Sequence, residues 1–466
     1  MKKIITLIMS IITLSGYSQE LFIGDSNALH VFNDAVFYVN GTATGDANYH
    51  RTLDTTNWYL ISSPLSGQIF NDAYVSANNI ASGQGNNRGI ATHQPATNTW
   101  AYYQASSVDQ TFFTTGFGYS FKKAAAGNVS FKGIINTADV TPTVTADSWM
   151  LLGNPFLSYM NIVSLINDNT SNLKYIGVYV WNEVTKTYDI KNLVEPIVLA
   201  PAQGFFVRVN PGVTSFTLKK SYQQATGDVF RKNANTMVEL LMTDGSNNKS
   251  AKVYYLDNNA TVGHDSGYDG EIFGGIVNAN DFAVYTQLVS NDEGKKYQIQ
   301  ALPKTDMENK VVPVGVTAAA GKEITFTAAS MNFPEGLKIF LEDKVTNTVT
   351  RLDEENTSYK VTMKEAINGI GRFYLHTKSK GVLSTDNVSF SNISIYAKDN
   401  NILRVVGLSN GKANVKMFNM LGKQVFATSF NATGVDDIKL AKVAAGIYTV
   451  HLEKEGNILN KKLLIE

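Results

Sequence analysis

Apolar and polar residues alternate along short segments over most of the chain, and clusters of Gly, Asn, Asp and Ser separate these segments. A period of two is typical of strands that bury one face, so the pattern predicts an all-β protein. The alternation is clearest in residues 392–466. There we expect strands at Ile393–Tyr396, Ile402–Val406, Ala413–Phe418, Gln424–Phe430, Asp437–Leu440, Gly446–Leu452 and Asn457–Ile465. Their number and spacing predict a small Ig-like β-sandwich.

The middle of the chain contains two copies of one pattern, at about 58–140 and 149–220, within a β-rich region at 19–230. Each copy opens with an apolar strand that starts at Trp and stops at Pro, which cannot donate to a sheet ladder. A Thr-x-Thr-aromatic turn and a Gly-aromatic strand follow in the same order. The matching segments are Trp58–Leu65 with Trp149–Phe156, Thr97–Trp100 with Thr185–Tyr188, and Gly116–Phe121 with Gln203–Arg208. The shared order predicts a duplicated β module.

Charged residues become denser after about residue 230, which predicts a domain boundary there. Residues 231–380 contain strand candidates at Val238–Met242, Ala251–Leu256, Ala283–Val289, Tyr297–Leu302, Glu323–Ala328, Leu337–Glu342, Tyr359–Met363 and Arg372–His376. Antiparallel strands at this spacing predict a jelly-roll-like sandwich. With linkers expected at 221–235 and 379–391, the fold class is several antiparallel β-sandwich domains in series.

Composition removes several functions from consideration. The chain has 40 basic and 40 acidic residues, and this balance argues against a nucleic-acid partner. It has no cysteine, which excludes disulfides, thiolate metal sites and cysteine nucleophiles. The folded chain must therefore be stabilised by burial and hydrogen bonds rather than by disulfide bonds.

The N-terminal residues have the pattern of a secretory signal peptide. Two lysines precede an apolar run at 4–14, and Gly16 and Ser18 place small residues before Gln19. We expect the signal peptide at 1–18 and cleavage after Ser18. The run is too short to span a bilayer, so we expect no transmembrane segment in the mature chain.

Three motifs at the C-terminal end resemble a known family. They are the strand–turn–strand at Val415–Val425, the Gly-Ile-Tyr strand at Ala445–Val450, and the basic-then-apolar ending Lys461–Ile465. Together they resemble the type A C-terminal sorting domain of the type IX secretion system, here at 392–466. One departure is Tyr396-Ala-Lys-Asp, where the family often has Tyr-Pro-Asn-Pro. The residues that match the family's motifs are Leu421, Gly422, Lys423, Gly446, Tyr448, Lys461 and Lys462.

This resemblance implies that the type IX secretion machinery is a partner. It also implies passage through the periplasm and across the outer membrane, followed by attachment to the cell surface or release. The duplicated region resembles β modules that recur in surface proteins exported by the same system, and that resemblance identifies no ligand.

Four carboxylates lie close together in sequence. Asp257, Asp265, Asp269 and Glu271 could supply oxygen ligands for calcium, which extracellular sandwiches use to fix loops. The alternative is an ordinary solvated turn, because the spacing lacks the third-position ligand and the later Glu of an EF-hand loop.

Four aromatic residues border predicted turns and could stack on sugar rings: Trp100, Tyr102, Tyr103 and Trp181. The alternative is that these rings fill sandwich cores, as aromatics in strands usually do.

No catalytic motif with correct spacing is present in the sequence. His-Glu-x-x-His is absent, and Gly315–Lys322 has the wrong spacing for a phosphate loop. The sequence therefore favours an adhesin or other binding protein of surface glycans or surface proteins, without catalysis. The alternatives are a secreted glycosidase-like hydrolase with an unrecognised acid pair, and a structural component of a surface assembly.

Overall fold

The structure is a computed structural model. It describes residues 21–23, 29–33, 35–39, 41–106, 111–227, 235–378, 393–399, 402–408, 410–440, 443–454 and 457–465. The predicted signal peptide at 1–18 and the predicted linker at 379–391 lie outside these residues. The described residues form many strands and two short α-helices, so the predicted all-β class is confirmed.

The first unit comprises the strands before residue 136. They are β1 (Leu21–Ile23), β2 (Leu29–Phe32), β3 (Ala43–Leu53), β4 (Tyr59–Ser62), β5 (Leu65–Ser66), β6 (Ile69–Phe70), β7 (Asn87–Gln94), β8 (Thr99–Gln104), β9 (Thr111–Phe112), β10 (Gly118–Phe121) and β11 (Gly127–Ile135). One sheet has the order β1-β3-β11-β5 with β2 also on β3, a second has the order β4-β10-β7-β8, and β6 pairs with β9. Helix α1 (Asp72–Ala77) has Asn71 as its N-cap, and the side chain of Asn71 accepts a hydrogen bond from Tyr74 N at 2.9 Å.

The second unit comprises β12 (Trp149–Gly153), β13 (Tyr159–Asn161), α2 (Ile162–Asp168), β14 (Leu173–Asn182), β15 (Thr187–Lys191), β16 (Val198–Leu199), β17 (Gly204–Val209) and β18 (Gln223–Gln224). Its main sheet has the order β12-β17-β14-β15, and a small sheet has the order β16-β13-β18. Part of the predicted linker at 221–235 is wrong. Tyr222 is 1% exposed in this unit's core and β18 pairs with β13, because the tyrosine closes the apolar face of α2.

The main sheets of the two units have the same strand order. In each, the opening Trp-containing motif leads into one strand, the Gly-aromatic strand lies beside it, and the Thr-x-Thr hairpin follows. The sheets meet at bridges between Phe117 and Leu152 and between Ile61 and Gln203. The two units thus share a strand order, and their origin by duplication stays a prediction.

The central sandwich comprises β19 (Thr236–Thr243), β20 (Asn248–Leu256), β21 (Gly270–Glu271), β22 (Ala283–Thr286), β23 (Tyr297–Pro303), β24 (Val311–Ala318), β25 (Glu323–Met331), β26 (Lys338–Asp343), β27 (Thr348–Arg351), β28 (Tyr359–Thr362) and β29 (Ile367–Lys378). They form one sheet of 11 strands, where eight were expected. The sheet curls around a shared core, and its two end regions meet where the Tyr359 hydroxyl donates to Asp343 at 2.7 Å.

Two details of the predicted sandwich are wrong. β20 and β23 pair in parallel, so the strands are not all antiparallel. The strand β24 was missed because Pro313 and Gly315 lie within it, and both residues argue against a central strand. Gly315 is accommodated because the Tyr285 ring packs directly over it, where a Cβ would lie 2.0 Å from Tyr285 Cε2.

The C-terminal sandwich contains all seven predicted strands. They are β30 (Ser394–Asp399), β31 (Ile402–Val406), β32 (Gly411–Asn419), β33 (Gln424–Ala432), β34 (Val435–Lys439), β35 (Gly446–Lys454) and β36 (Asn457–Ile465). A three-stranded sheet, β30-β31-β34, packs on a four-stranded sheet, β33-β32-β35-β36. Inward-facing apolar residues from both sheets form one core.

Apolar clusters also join the units to each other. Trp149, Tyr179 and Phe206 of the second unit share a buried cluster with Tyr254 and Phe273 of the central sandwich. A smaller cluster joins the central sandwich to the C-terminal sandwich. The increase in the density of charged residues near residue 230 therefore falls between the second unit and the central sandwich, which pack against each other.

Candidate functional site

A polar cleft of about 230 Å³ lies between the second unit and the central sandwich. Strand β14 supplies one wall, and the segment 264–271 supplies the other. The polar residues that line the cleft include Lys174, Tyr175, Asn210, His264, Asp269 and Glu271. The cleft therefore contains both charge signs, an amide, an imidazole and an aromatic hydroxyl.

Hydrogen bonds between the two units hold the 264–271 segment in place. Leu193 N donates to Gly267 O at 3.0 Å, and Asn192 Nδ2 donates to Tyr268 O at 2.9 Å. The hydroxyl of Tyr179 donates to the Glu271 carbonyl at 2.8 Å. Because these bonds run across the junction, the cleft has two walls fixed relative to each other.

Asp269 lies at the base of the cleft and is 3% exposed. Its Oδ1 accepts a hydrogen bond from Ala301 N, and its Oδ2 accepts one from Asp265 N, both at 2.7 Å. Burial raises the pKa of Asp269 to about 7, against the lowering effect of these two bonds. The carboxyl group thus joins the backbone of its own segment to the backbone of β23.

His264 lies beside this carboxyl group at the rim. Its Nδ1 is 3.7 Å from Asp269 Oδ2 and 3.4 Å from the Tyr297 hydroxyl. Burial, followed by the charge of Lys295, lowers the pKa of His264. The imidazole is therefore favoured in its neutral form, in which it can accept or donate a hydrogen bond.

Glu271 is the second carboxylate in the cleft. Burial raises its pKa, while Lys295 Nζ, 3.9 Å from Oε1, lowers it. Burial, followed by the nearby Glu271 carboxylate, raises the pKa of Tyr175 to about 12. Glu271 and Tyr175 therefore form a polar pair on the cleft wall.

The predicted calcium ligand set is not assembled. Among the described residues, no group of three or more His, Asp or Glu side chains is placed to hold a metal ion. Asp265 and Asp269 adjoin each other through the backbone, but Asp257 is 76% exposed and pairs with Lys304 at 3.4 Å. Glu271 faces Lys295 instead. Two of the four carboxylates are thus paired with lysines, which leaves too few free ligands for the predicted site.

The predicted glycan-stacking platform is not formed either. Trp100 packs against Phe206, and the Trp181 Nε1 donates to Trp58 O at 2.7 Å, so both rings lie at the junction of the units. Tyr103 is 8% exposed in the first core, whereas Tyr102 is 38% exposed. Trp100 and Trp181 are half-buried because the second unit packs on the first, Tyr103 is buried in the first unit's own core, and Tyr102 is exposed.

The residues of the predicted sorting motifs divide into structural and exposed ones. Asn419 Oδ1 accepts hydrogen bonds from Leu421 N at 3.1 Å and Lys423 N at 3.0 Å, and Gly422 has φ +76° in this turn. The buried Tyr448 donates its hydroxyl hydrogen to Ala444 O at 2.6 Å. By contrast, Leu421 is 92% exposed.

The ends of the remaining motifs lie on the last sheet. Gly446 begins β35 and pairs with Ile465. Lys462 is exposed on the outer face of β36, and Lys461 points to the other side, toward the central sandwich. The basic pair therefore presents one lysine to solvent and one to the rest of the chain.

Comparison with known proteins identifies the export class. Residues 392–466 match the family model described as a secretion system C-terminal sorting domain. The chain is a substrate of the type IX secretion system, exported for attachment to the cell surface or for secretion. This confirms the family resemblance of the C-terminal motifs, and the C-terminal sandwich is called the sorting domain below.

The other comparisons add little about function. Residues 187–376 match a model described as a domain of unknown function (DUF8693), which begins in β15 and spans most of the central sandwich. A solved structure titled "Biofilm associated protein - BSP domain" has a TM-score of 0.17 and 9% identity, covering 90% of this chain and 92% of that chain. A similarity this low supports no inference. No curated protein matches the chain.

The described part of the chain contains no helix long and apolar enough to cross a membrane.

Sequence reasoning found two cleft residues, Asp269 and Glu271, but assigned them to calcium. It missed Lys174, Tyr175 and Asn210, which come from the second unit. No sequence signal could have found them, because only the packing of the two units brings them to the 264–271 segment.

Proposed function

We propose that the exported chain is a surface binding protein, an adhesin, and that the polar cleft between the second unit and the central sandwich is its ligand site. The cleft itself carries this proposal. Its two walls are fixed to each other by hydrogen bonds, and its polar groups converge on one small volume. Preformed concave sites with a few convergent polar groups are typical of ligand binding.

The ligand we propose is a glycan that inserts one sugar unit. The cleft is smaller than the roughly 300–1,000 Å³ of sites for drug-sized ligands, so it admits a small polar group or the end of a chain. Sugar hydroxyls can donate to the Glu271 carboxylate, and the Tyr175 ring offers an apolar face. This keeps glycan binding as the function but moves it from Trp100 and Trp181 to the cleft.

Binding explains the cleft better than hydrolysis does. Glycosidases use two carboxyl groups on either side of the scissile bond. Both oxygens of Asp269 accept backbone hydrogen bonds and the side chain is buried, so it is not free to protonate a leaving group. Glu271 is then without an acid partner in the cleft.

The test is a glycan array with the purified protein, followed by titration calorimetry on any glycan that binds. We expect Glu271→Gln to weaken binding by about 10-fold, because it removes one charge-assisted hydrogen bond. Glu365→Gln, on an exposed turn of the central sandwich, is the matched control and should bind normally. Release of shorter sugars from a bound glycan would favour the hydrolase instead. Equal affinity of Glu271→Gln and the unaltered protein would contradict the assignment of the site.

A further inference from the structure

The sorting domain packs on the central sandwich with one defined face. In its three-stranded sheet, Ile395, Leu403 and Val405 point into the domain's own core. Strands alternate, so the neighbouring side chains point outward. The outward set contains Tyr396, Arg404, Val406, Val435 and Asp437.

An apolar cluster covers the middle of this outward face. Val406 is 1% exposed and clusters with Ala283, Tyr285 and Ile370 of the central sandwich. Tyr396, Val435 and Ile272 pack around it. An apolar face of this kind is stabilised only while the two domains remain together.

Two glycines of the central sandwich give the interface its shape. A Cβ on Gly371 would lie 2.2 Å from Val435 Cγ2 and 2.9 Å from Gly434 O. A Cβ on Gly294 would lie 2.8 Å from Tyr396 Cε2. The sorting domain thus fits against positions where any side chain would keep it away.

Charged groups surround the apolar cluster. Asp292 of the central sandwich is 2% exposed, and among the described residues its Oδ2 has no hydrogen-bond partner. Burial raises the pKa of Asp292 to about 6, against the lowering effects of the Gly294 backbone amide and of the charge of Lys461, a residue of the sorting motif. Lys296 Nζ lies 4.7 Å from the centre of the Tyr285 ring, and Arg404 pairs with Asp437 at 2.6 Å.

We propose that this face makes the sorting domain dock specifically on the folded units that precede it in the chain, which we call the passenger, and that export requires the docked state. The passenger side of the interface comes from β22, from the loop containing Asp292 and Gly294, and from β29. β29 is far in sequence from β22 and from the loop that follows it, so the three segments meet only in a completed sandwich. The sorting domain can therefore dock only after the passenger has folded.

Docking leaves the opposite face of the sorting domain free. Met420, Leu421, Ile447 and Leu464 are 69%, 92%, 48% and 55% exposed. The machinery can therefore contact the four-stranded sheet and its turn while the three-stranded sheet is covered.

The first test uses the absence of cysteine in the chain. In the full-length protein, Ile370→Cys places a single thiol under the docked domain, where Ile370 is 3% exposed. Adding Val435→Arg should speed its labelling by about 10-fold or more, because undocking exposes the thiol. Adding Ile447→Arg, on the free face, is the matched control and should leave the rate unchanged. Equal labelling rates in all three proteins would overturn the docking.

The second test measures export. In cells with a type IX system, Val435→Arg should lower the exported fraction several-fold, because Val435 packs against Gly371 in the docked face. Val345→Arg, on an exposed turn of the central sandwich, is the matched control and should have no effect. A thermal melt of each purified variant separates undocking from misfolding. Full export of a folded variant whose single thiol labels rapidly would overturn the requirement for docking. Neither test uses the proposed glycan site.

Discussion

Gly153 of the second unit lies directly against Ser62 of the first: a Cβ on Gly153 would fall 2.1 Å from Ser62 Cβ. Ser62 is itself the counterpart of Gly153 in the first copy of the repeated motif. Gly118, which pairs with Ser62 on the neighbouring strand, is also close to the second unit, since a Cβ there would lie 2.5 Å from Leu152 O. Gly153 and Gly118 thus allow the backbones of the two main sheets to approach closely.

Gly153→Ala should therefore destabilise the protein. The added methyl group must push the two sheets apart or displace Ser62, and overpacking of this kind costs about 1–3 kcal/mol. Urea unfolding followed by tryptophan fluorescence would measure it, since Trp149 begins the same strand. The control is Gly263→Ala, where the nearest atom to a new Cβ is at 3.6 Å. A loss of stability no larger than that of the control would contradict the close contact.

Asp269 should make stability depend on pH. Its pKa is raised from 3.8 to about 7, so the folded state binds a proton more tightly than the unfolded state between these values. The contribution of protonated Asp269 to the free energy of unfolding is present at pH 4 and is lost as the pH rises toward 7. Over this window it amounts to a few kcal/mol at most, at about 1.4 kcal/mol per pKa unit.

The measurement is urea unfolding of the unaltered protein and Asp269→Asn from pH 4 to pH 7.5. His264, whose pKa is lowered, contributes with the opposite sign: it favours the folded state above pH 6.5 and opposes it as the pH falls. Because His264 Nδ1 lies 3.7 Å from Asp269 Oδ2, the two titrations are coupled, and repeating the comparison in a His264→Gln background isolates Asp269. A difference that does not change with pH would show that Asp269 does not titrate in this range.

Two substitutions in one turn should separate the structural and exposed roles of the sorting motif. Gly422→Ala forces a side chain into φ +76° and should cost the sorting domain about 1 kcal/mol. Leu421→Ser removes a side chain that is 92% exposed, so it should leave the melting temperature unchanged. If the machinery contacts this turn, Leu421→Ser still lowers the exported fraction in a cell fractionation experiment. Normal export of Leu421→Ser would exclude that contact.

The sequence predicted the sorting domain almost completely because its strands alternate strictly and are separated by turn residues. β24 was missed because Pro313 and Gly315 interrupt the pattern, and only the neighbouring strands show that both are tolerated. Trp100 and Trp181 are half-buried at the junction of the units, and a local sequence pattern does not indicate which unit will cover a turn. The cleft could not be predicted, since Tyr175 and Glu271 are brought together only by packing between units.

The buried ion pair between Arg372 and Asp343 should be essential for the central sandwich. Arg372 Nη2 lies 2.8 Å from Asp343 Oδ2, and Asp343 is 1% exposed. Arg372→Met would leave this carboxylate buried without its cation, at a cost of about 3–5 kcal/mol. The pair of Lys344 with Glu342 gives the control: the Lys344 side chain is 53% exposed and Glu342 keeps His376 Nε2 at 2.8 Å, so Lys344→Met should cost less than about 1 kcal/mol. Urea unfolding of both variants measures the two costs.

Arg372→Met would also move the end strands of the curled sheet, since Tyr359 donates to the same carboxylate. Similar stability of the two variants would show that the Tyr359 hydroxyl and the backbone suffice to hold Asp343.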